Sequence, residues 1–472
     1  MLVVLIALLA VGVRLLGLDS EVYWVDEIFS LRYADAPSFG DLFRLVASED
    51  RTPPLYYILL RLWRYFSHTL WWTRLFSVLA SLGTFALTGW LGYRLGGRKM
   101  GLLILVLMAL SQYQVFYAQE ARPYVFYMLA VSASWVLLLE AAERKKSVFW
   151  ISYGVVTVLT IWLQYLLWLS IVAQAAWLFH QGYHNREFRR WVFRPVLISF
   201  GIFLFASIPM MVLVFSQARD RGGDWIPPLS ISNMLYLVEA MACGFKVLLP
   251  KVLYIVCGLL ALVCWTIFAV RRPGKRPWAN AVLYAALLPV IILVIVSFYK
   301  PLIYQGRRYV CFCQPFLVVA LAGGILAMPR WPRRLTATVF ILLWAAMSIG
   351  MYRQVDKRRY DLAATRIMRE AQPGDRILVI PDYSYEVMKH YEKNLPPPLE
   401  EQDKPWQNAV HELIISGNRL WVVSIGEQIS APERFIQSYT TRDISLAINI
   451  GPYLRLARYR GTRETSENKP HD

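Results

Sequence analysis

Residues 100–146 read MGLLILVLMALSQYQVFYAQEARPYVFYMLAVSASWVLLLEAAERKK. Two apolar runs, 100–117 and 123–140, flank the short polar stretch Gln119-Glu120-Ala121-Arg122, and the second run ends on Arg144-Lys145-Lys146. An apolar run of about 20 residues is long enough to cross a bilayer. Hydrocarbon offers no water to backbone N–H groups, so such runs must be helices that satisfy their own hydrogen bonds. The same alternation extends in both directions. Spans are expected near 1–18, 70–92, 100–117, 123–140, 148–163, 165–180, 196–216, 250–270, 279–298, 310–328 and 335–352. The sequence thus describes a polytopic α-helical membrane protein with about eleven transmembrane helices.

Composition agrees. Of 472 residues, 57% are hydrophobic, and aromatic residues make up 14%, many of them at the ends of the runs. Tyr and Trp favour that position because an apolar ring carries a polar tip. The net charge of +18 is not a nucleic-acid signature, because most of the excess lies in loops between spans, where it sets topology. Five cysteines, Cys243, Cys257, Cys264, Cys311 and Cys313, lie in or beside apolar segments. Their odd number and spacing imply neither a disulfide framework nor a metal site. Met1 to Leu18 lacks a basic start and a convincing cleavage site, so it reads as an uncleaved first span.

The basic clusters fix an orientation. Arg94, Arg98 and Lys99; Arg144, Lys145 and Lys146; Arg186, Arg189, Arg190 and Arg194; Arg271, Arg272, Lys275 and Arg276; and Arg330, Arg333 and Arg334 all fall on one side of the expected spans. The positive-inside rule makes that side cytoplasmic. The N-terminus is then inside a cytoplasmic (inner) membrane. The loops at 19–69, 118–122, 217–249 and 299–309 lie outside, together with everything after residue 352. Pro53 to Phe66 is apolar but short and carries Arg61 and Arg64, so it reads as a helix lying at the outer interface. A second interfacial helix is expected from Ser38, with Asp41 as a capping signal, and a third over 231–248.

The chain therefore divides into a membrane module, 1–352, and a small C-terminal extracytoplasmic α/β domain, 353–472. In the latter, helices are expected at Arg358–Ala371, Tyr385–Glu392 and Trp406–Ile415, and strands at Arg376–Ile380, Arg419–Ile425, Ile444–Ile450 and Tyr453–Tyr459. Arg463 to Asp472 reads as a disordered end.

Chemistry concentrates on the outer side. The first loop carries Asp26-Glu27 directly after the first span. A general base at the membrane surface is one reading, and a solvated helix cap is the other. The second loop sets Glu120 and Arg122 between two spans, where charge is costly unless paired or used. Arg307 and Arg308 in the fourth loop oppose the topology bias. Guanidinium forks match phosphate oxygens, so anion binding accounts for them, with lipid headgroups as the plainer partner. One carboxylate and several arginines suffice for sugar transfer from a polyprenyl phosphate. The leaving phosphate needs cations rather than a general acid, and the acceptor hydroxyl needs a base.

Three stretches then resemble the GT-C membrane glycosyltransferases, and within them glycosyltransferase family 39, the protein mannosyltransferase and aminoarabinose transferase group with its bacterial members. Trp24-Val25-Asp26-Glu27-Ile28-Phe29-Ser30 looks like the family's Asp-Glu motif, Pro53-Pro54-Leu55-Tyr56-Tyr57 like its Pro-Pro-Leu motif, and Gln119-Glu120-Ala121-Arg122-Pro123-Tyr124 like its Gln-Glu-Ala-Arg-x-Tyr stretch. The resemblance covers roughly residues 1–330. It implies a GT-C-like fold and a polyprenyl-phosphate sugar donor, with no cofactor and no general need for a divalent metal. Asp26 would be the base, Glu27 would position the acceptor or Asp26, Arg122 would face the donor phosphate, and Glu120 would orient Arg122. Relatives often carry His or Lys directly before Pro-Pro-Leu. This chain has Thr52 there and Arg51 one step earlier, so either Arg51 supplies the cation or the donor is held differently. The acceptor is a glycan, lipid or protein. A transporter or flippase of lipid-linked saccharides is the competing reading, expected to show repeated halves and charges at mid-membrane. A non-catalytic lipid-binding scaffold is the third.

Overall fold

The computed structural model describes residues 1–50, 52–217, 229–244, 250–299, 306–352, 357–380, 383–399, 419–425, 444–449 and 454–460. Arg51, the expected helix Trp406–Ile415 and the expected disordered end from Arg463 lie outside the described residues. The chain divides into two compact units: Met1–Leu18 with Ser30–Arg353, and Asp19–Phe29 with Gln354–Asp472.

The first unit is helical. Its elements are α1 (Leu2–Leu15), most of α2 (Val25–Ala34), α3 (Phe39–Glu49), α4 (Leu55–Arg64), α5 (Leu70–Leu110), α6 (Gln112–Ala118), α7 (Tyr124–Arg144), α8 (Ser147–Leu163), α9 (Trp168–His184) and α10 (Arg186–Gln217). They continue with α11 (Ile231–Cys243), α12 (Lys251–Arg271), α13 (Arg276–Ser297), α14 (Gly306–Tyr309), α15 (Gln314–Leu326) and α16 (Arg330–Met351). Six of these, α5, α7, α10, α12, α13 and α16, are long and apolar enough to cross a membrane. The segments expected at 1–18, 148–163 and 310–328 form shorter apolar helices.

Helix α12 shows how such a helix packs. Its inward face is Tyr254, Cys257, Gly258, Ala261, Cys264 and Phe268, while Val252, Ile255, Leu259 and Val263 are exposed. Small residues over the middle of the inward face and bulky aliphatics outside suit a lipid-facing helix, where close backbone approach replaces the hydrophobic effect as the source of cohesion. The approach is tightest at Gly324 of α15, where a Cβ would collide with the Cys264 carbonyl oxygen.

Two expected spans, 70–92 and 100–117, are the arms of α5, which turns back at Gly96 and Gly97. Gly97 has φ +76° and ψ −169°, a backbone state that side chains with a Cβ avoid. The second arm stops at Leu110, short of the expected end. Ser111 takes an extended conformation, its hydroxyl accepts from Gln114 N at 3.5 Å, and α6 begins. The polar Ser111-Gln112 step inside an apolar run is the local cause. At the turn end, Arg94 pairs with Glu140 and, at 2.7 Å, with Glu143. Lys275 reaches Glu143 at 2.6 Å, and Arg144 also pairs with Glu140. Three of the basic clusters assigned to one side thus meet around two carboxylates.

The short helices form where expected, over narrower ranges. Ser38 caps α3, accepting from Asp41 N at 3.1 Å. Arg64 of α4 is buried, and its guanidinium grips Asp35 at 2.6 and 3.0 Å and Thr73 at 2.6 Å.

In the second unit, α17 (Tyr360–Glu370) and α18 (Ser384–Tyr391) accompany strands β1 (Arg376–Ile380), β2 (Arg419–Ile425), β3 (Ile444–Asn449) and β4 (Leu454–Arg460). The sheet order is β1-β2-β4-β3, with β1 parallel to β2 and the other two pairings antiparallel. Leu378, Leu420, Val422, Ala457 and Tyr459 form one buried face. Asp375, at the start of β1, accepts from Arg419 at 2.9 Å and Trp421 Nε1 at 2.9 Å, so the turn before the strand is tied to its neighbour.

Candidate active site

Asp26 and Glu27 stand in the first turn of α2, where the aligned peptide dipoles favour anions. Ile28 N bonds Trp24 O at 3.1 Å, which makes Trp24 the cap of the helix. Glu27 reaches back to Trp24 N at 3.0 Å, the return half of a capping box. The Glu27 side chain is fully buried, and Lys357 donates to the same oxygen, Oε2, at 2.8 Å. Nearby, Tyr391 donates to Tyr23 O at 2.9 Å, and His390 meets the Tyr23 ring edge-on at 5.7 Å. Asp26, by contrast, is half-buried. The two adjacent carboxylates thus have different surroundings. Glu27 is built into the second unit, and Asp26 keeps access to solvent.

Three of the predicted arginines, Arg122, Arg307 and Arg308, lie within the first unit. Arg122 follows a tight turn in which its N–H bonds Glu120 O at 2.8 Å. Its Nη1 donates to Ser30 Oγ at 3.0 Å, and its guanidinium lies 5.7 Å from the Tyr124 ring centroid. Arg308 lies 6.0 Å from the same ring. Arg307, beside it on α14, packs 5.5 Å from the Tyr236 ring and donates to the Tyr236 hydroxyl, while its carbonyl accepts from the Tyr113 hydroxyl. Tyr117 meets Tyr113 and Tyr124, each at 4.9 Å between centroids. Tyr113, Tyr117 and Tyr124 thus form one chain of rings, with Arg122 and Arg308 at its Tyr124 end and Arg307 tied to Tyr113 through its carbonyl and to Tyr236 through its guanidinium, and all three arginines are half-exposed. Such a concentration of one sign raises the local potential for an anion. Glu120 is buried at 4% exposure.

One group escaped the sequence reading. Thr52 Oγ1 donates to Asp50 Oδ2 at 2.8 Å, and the Tyr57 hydroxyl donates to the same oxygen. Tyr33 packs edge-on against Tyr57 at 5.0 Å. Burial, followed by the Asp50 charge, pushes the Tyr57 and Tyr33 phenols above their ordinary range, and Arg122 opposes this at both. The cationic cluster and the Asp50 group are therefore electrostatic neighbours within one unit. Thr52, directly before Pro53-Pro54-Leu55, is thus a hydroxyl bound to a carboxylate. The signal was present as Glu49-Asp50 just before Thr52-Pro53-Pro54. Among the described residues, no group of three or more His, Cys, Asp or Glu side chains could hold a metal ion.

No protein-family model matches the chain, and no curated protein matches it. Solved structures do. Apo ArnT from Cupriavidus metallidurans is 13% identical with a TM-score of 0.63, over 98% of each chain. The same protein bound to undecaprenyl phosphate is 12% identical with a TM-score of 0.60, over 99% of each chain. The oligosaccharyltransferase AglB from Archaeoglobus fulgidus, in complex with an inhibitory peptide and a dolichol-phosphate, is 10% identical with a TM-score of 0.60, over 92% of this chain and 70% of that one. Identities this low speak for architecture, and the architecture is clear: the chain has the GT-C fold of membrane-embedded glycosyltransferases.

Proposed function

We propose that this protein is an inverting glycosyltransferase that moves a sugar from a polyprenyl-phosphate donor to an acceptor on the outer face of the cytoplasmic membrane. The observation that carries the reading is the meeting of Arg122 and Arg308 at the Tyr124 ring, with Arg307 next along the chain and bonded through its carbonyl to Tyr113. Structures of similar fold are described with undecaprenyl phosphate or dolichol-phosphate bound, which suits an anion seat of this kind.

In this reading Asp26 takes the proton of the acceptor hydroxyl as its oxygen attacks the anomeric carbon. The bond from that carbon to the phosphate oxygen breaks, its electron pair stays with the phosphate, and the configuration inverts. The arginines stabilise the departing polyprenyl phosphate, with Arg51 a further candidate on sequence grounds. Glu120 orients Arg122, and Glu27 positions Asp26. The donor sugar is a hexose or pentose, and the acceptor is a glycan, lipid or protein. The membrane module, 1–352, has about eleven spans with the N-terminus inside, and 353–472 is an extracytoplasmic domain.

The test is transfer in membrane vesicles supplied with labelled polyprenyl-phosphate hexoses and pentoses. Wild type transfers one of them and Asp26→Asn does not. Full transfer by the variant removes Asp26 as the base. Uptake of a lipid-linked saccharide without transfer would replace the reading with transport.

A further inference from the structure

We infer that Lys357 is a positioning residue of this reaction, and that the segment after the last long helix serves to set the turn that presents Asp26. The inference rests on the transferase reading for its purpose and on the second unit's own geometry for its substance. Glu27 Oε2 receives two donors, Trp24 N at 3.0 Å and Lys357 Nζ at 2.8 Å. The first closes the turn on itself, and the second anchors it to a residue 330 positions later in the chain. Both side chains are withdrawn from solvent, at 0% exposure for Glu27 and 10% for Lys357. Tyr391 and His390 of α18 hold Tyr23, one residue before the helix cap. The same C-terminal segment therefore grips the turn at both of its ends.

Stability alone is a poor reason for such a pair. Two charges taken out of water lose hydration that their attraction barely repays, and well-packed apolar residues often do as well or better. What the pair adds is direction. Lys357 meets Glu27 at a fixed oxygen, and that contact fixes the rotation of the first turn of α2. Asp26 is the next residue, half-buried on that turn. A base displaced by about 1 Å loses roughly a hundredfold in rate, so a fixed neighbour matters more to Asp26 than to an ordinary surface carboxylate.

The experiment uses the full chain in nanodiscs, as wild type, Lys357→Met, Lys357→Arg and the double variant Glu27→Gln with Lys357→Met. Backbone hydrogen exchange is read over residues 24–29, with β1 as an internal control for folding. Transfer is read as kcat and KM with undecaprenyl-phosphate-linked hexoses and pentoses. In Lys357→Met, exchange over 24–29 should rise roughly tenfold or more while β1 is unchanged. Its kcat should fall roughly ten- to a hundredfold with the donor KM within about twofold. Lys357→Arg should recover most of both. Unchanged exchange in Lys357→Met overturns the proposal, as does a raised KM at constant kcat, or an arginine no better than methionine. If Lys357→Met does not fold, the double variant carries the same comparison, because its buried amide leaves no unpaired charge. A wild type inert toward every donor, with the exchange pattern as expected, would sink the transferase reading and leave the clamp standing.

Discussion

Replacing Arg122 with glutamine tests the cationic seat most directly. In the protein, Arg122 spends one N–H on Ser30 Oγ at 3.0 Å and lays its plane near Tyr124. A glutamine retains some reach but loses the charge, so a bound lipid phosphate loses one charge-assisted hydrogen bond, about 1.5–3 kcal/mol. The weakened cation–π contact costs the free protein about 0.5–1 kcal/mol and cancels in part, since it is present before binding. The expected loss of affinity for undecaprenyl phosphate is therefore roughly 10- to 150-fold. The assay is binding of undecaprenyl phosphate to the purified protein in nanodiscs. Two controls sharpen it. Ser30→Ala removes a positioning bond and should cost no more than about tenfold. Tyr124→Phe keeps the ring and should leave binding nearly unchanged. Arg308→Gln should weaken binding as Arg122→Gln does, and because both side chains share one ring their combination should not be additive. Affinity within twofold of wild type for Arg122→Gln would refute the assignment of this cluster to the phosphate.

Four further outcomes are expected. Asp26→Asn should lower kcat by about 10²- to 10⁴-fold and leave undecaprenyl phosphate binding intact, as read by the same binding assay. Tyr57→Phe removes a fully buried donor to Asp50 and should destabilise the protein by about 1.5–3 kcal/mol, measured as a shift in denaturant midpoint at neutral pH. The raised phenols of Tyr33 and Tyr57 give a pH signature: their neutral form is favoured by folding, so that contribution is whole below the ordinary phenol value of about 10 and is lost as pH climbs toward the higher folded values. The midpoint should fall above pH ~10, and less steeply in Tyr57→Phe. For topology, Ser20 and Ser147 are exposed and the native cysteines are buried. A cysteine at Ser20 should react with an impermeant reagent applied from outside, and one at Ser147 should not. The reverse result would invert the orientation.

Hydropathy made most of the helices readable, because an apolar run has one stable form in lipid and needs no partner to declare it. Ser38 announced α3 for the same reason: a cap is a local event, complete within four residues. The strands of the second unit followed from alternation, and Arg419–Ile425 has the expected bounds. What stayed hidden depends on contacts between distant residues. Nothing in the spacing of Arg122 and Arg308 says that they meet over Tyr124. The contact of Lys357 with Glu27 exists only in three dimensions. Asp50 was visible but unremarked, since its meaning comes from the Tyr57 hydroxyl that a helical turn in α4 swings toward it. The break at Ser111 was lost for a different reason: a polar pair inside an apolar run is a weak signal when averaged over a span-length window.

The Glu27–Lys357 pair also has a consequence for how the protein is made. Translation supplies Glu27 first and Lys357 330 residues later. At roughly 5–20 residues per second that interval is about 15–65 s, during which the long apolar helices are already in place. The first turn of α2 is thus among the last to be completed. A chain cut short after Met351 would keep the long apolar helices and leave Glu27 without Lys357, so a premature stop would leave a helical body whose starting turn is unfinished.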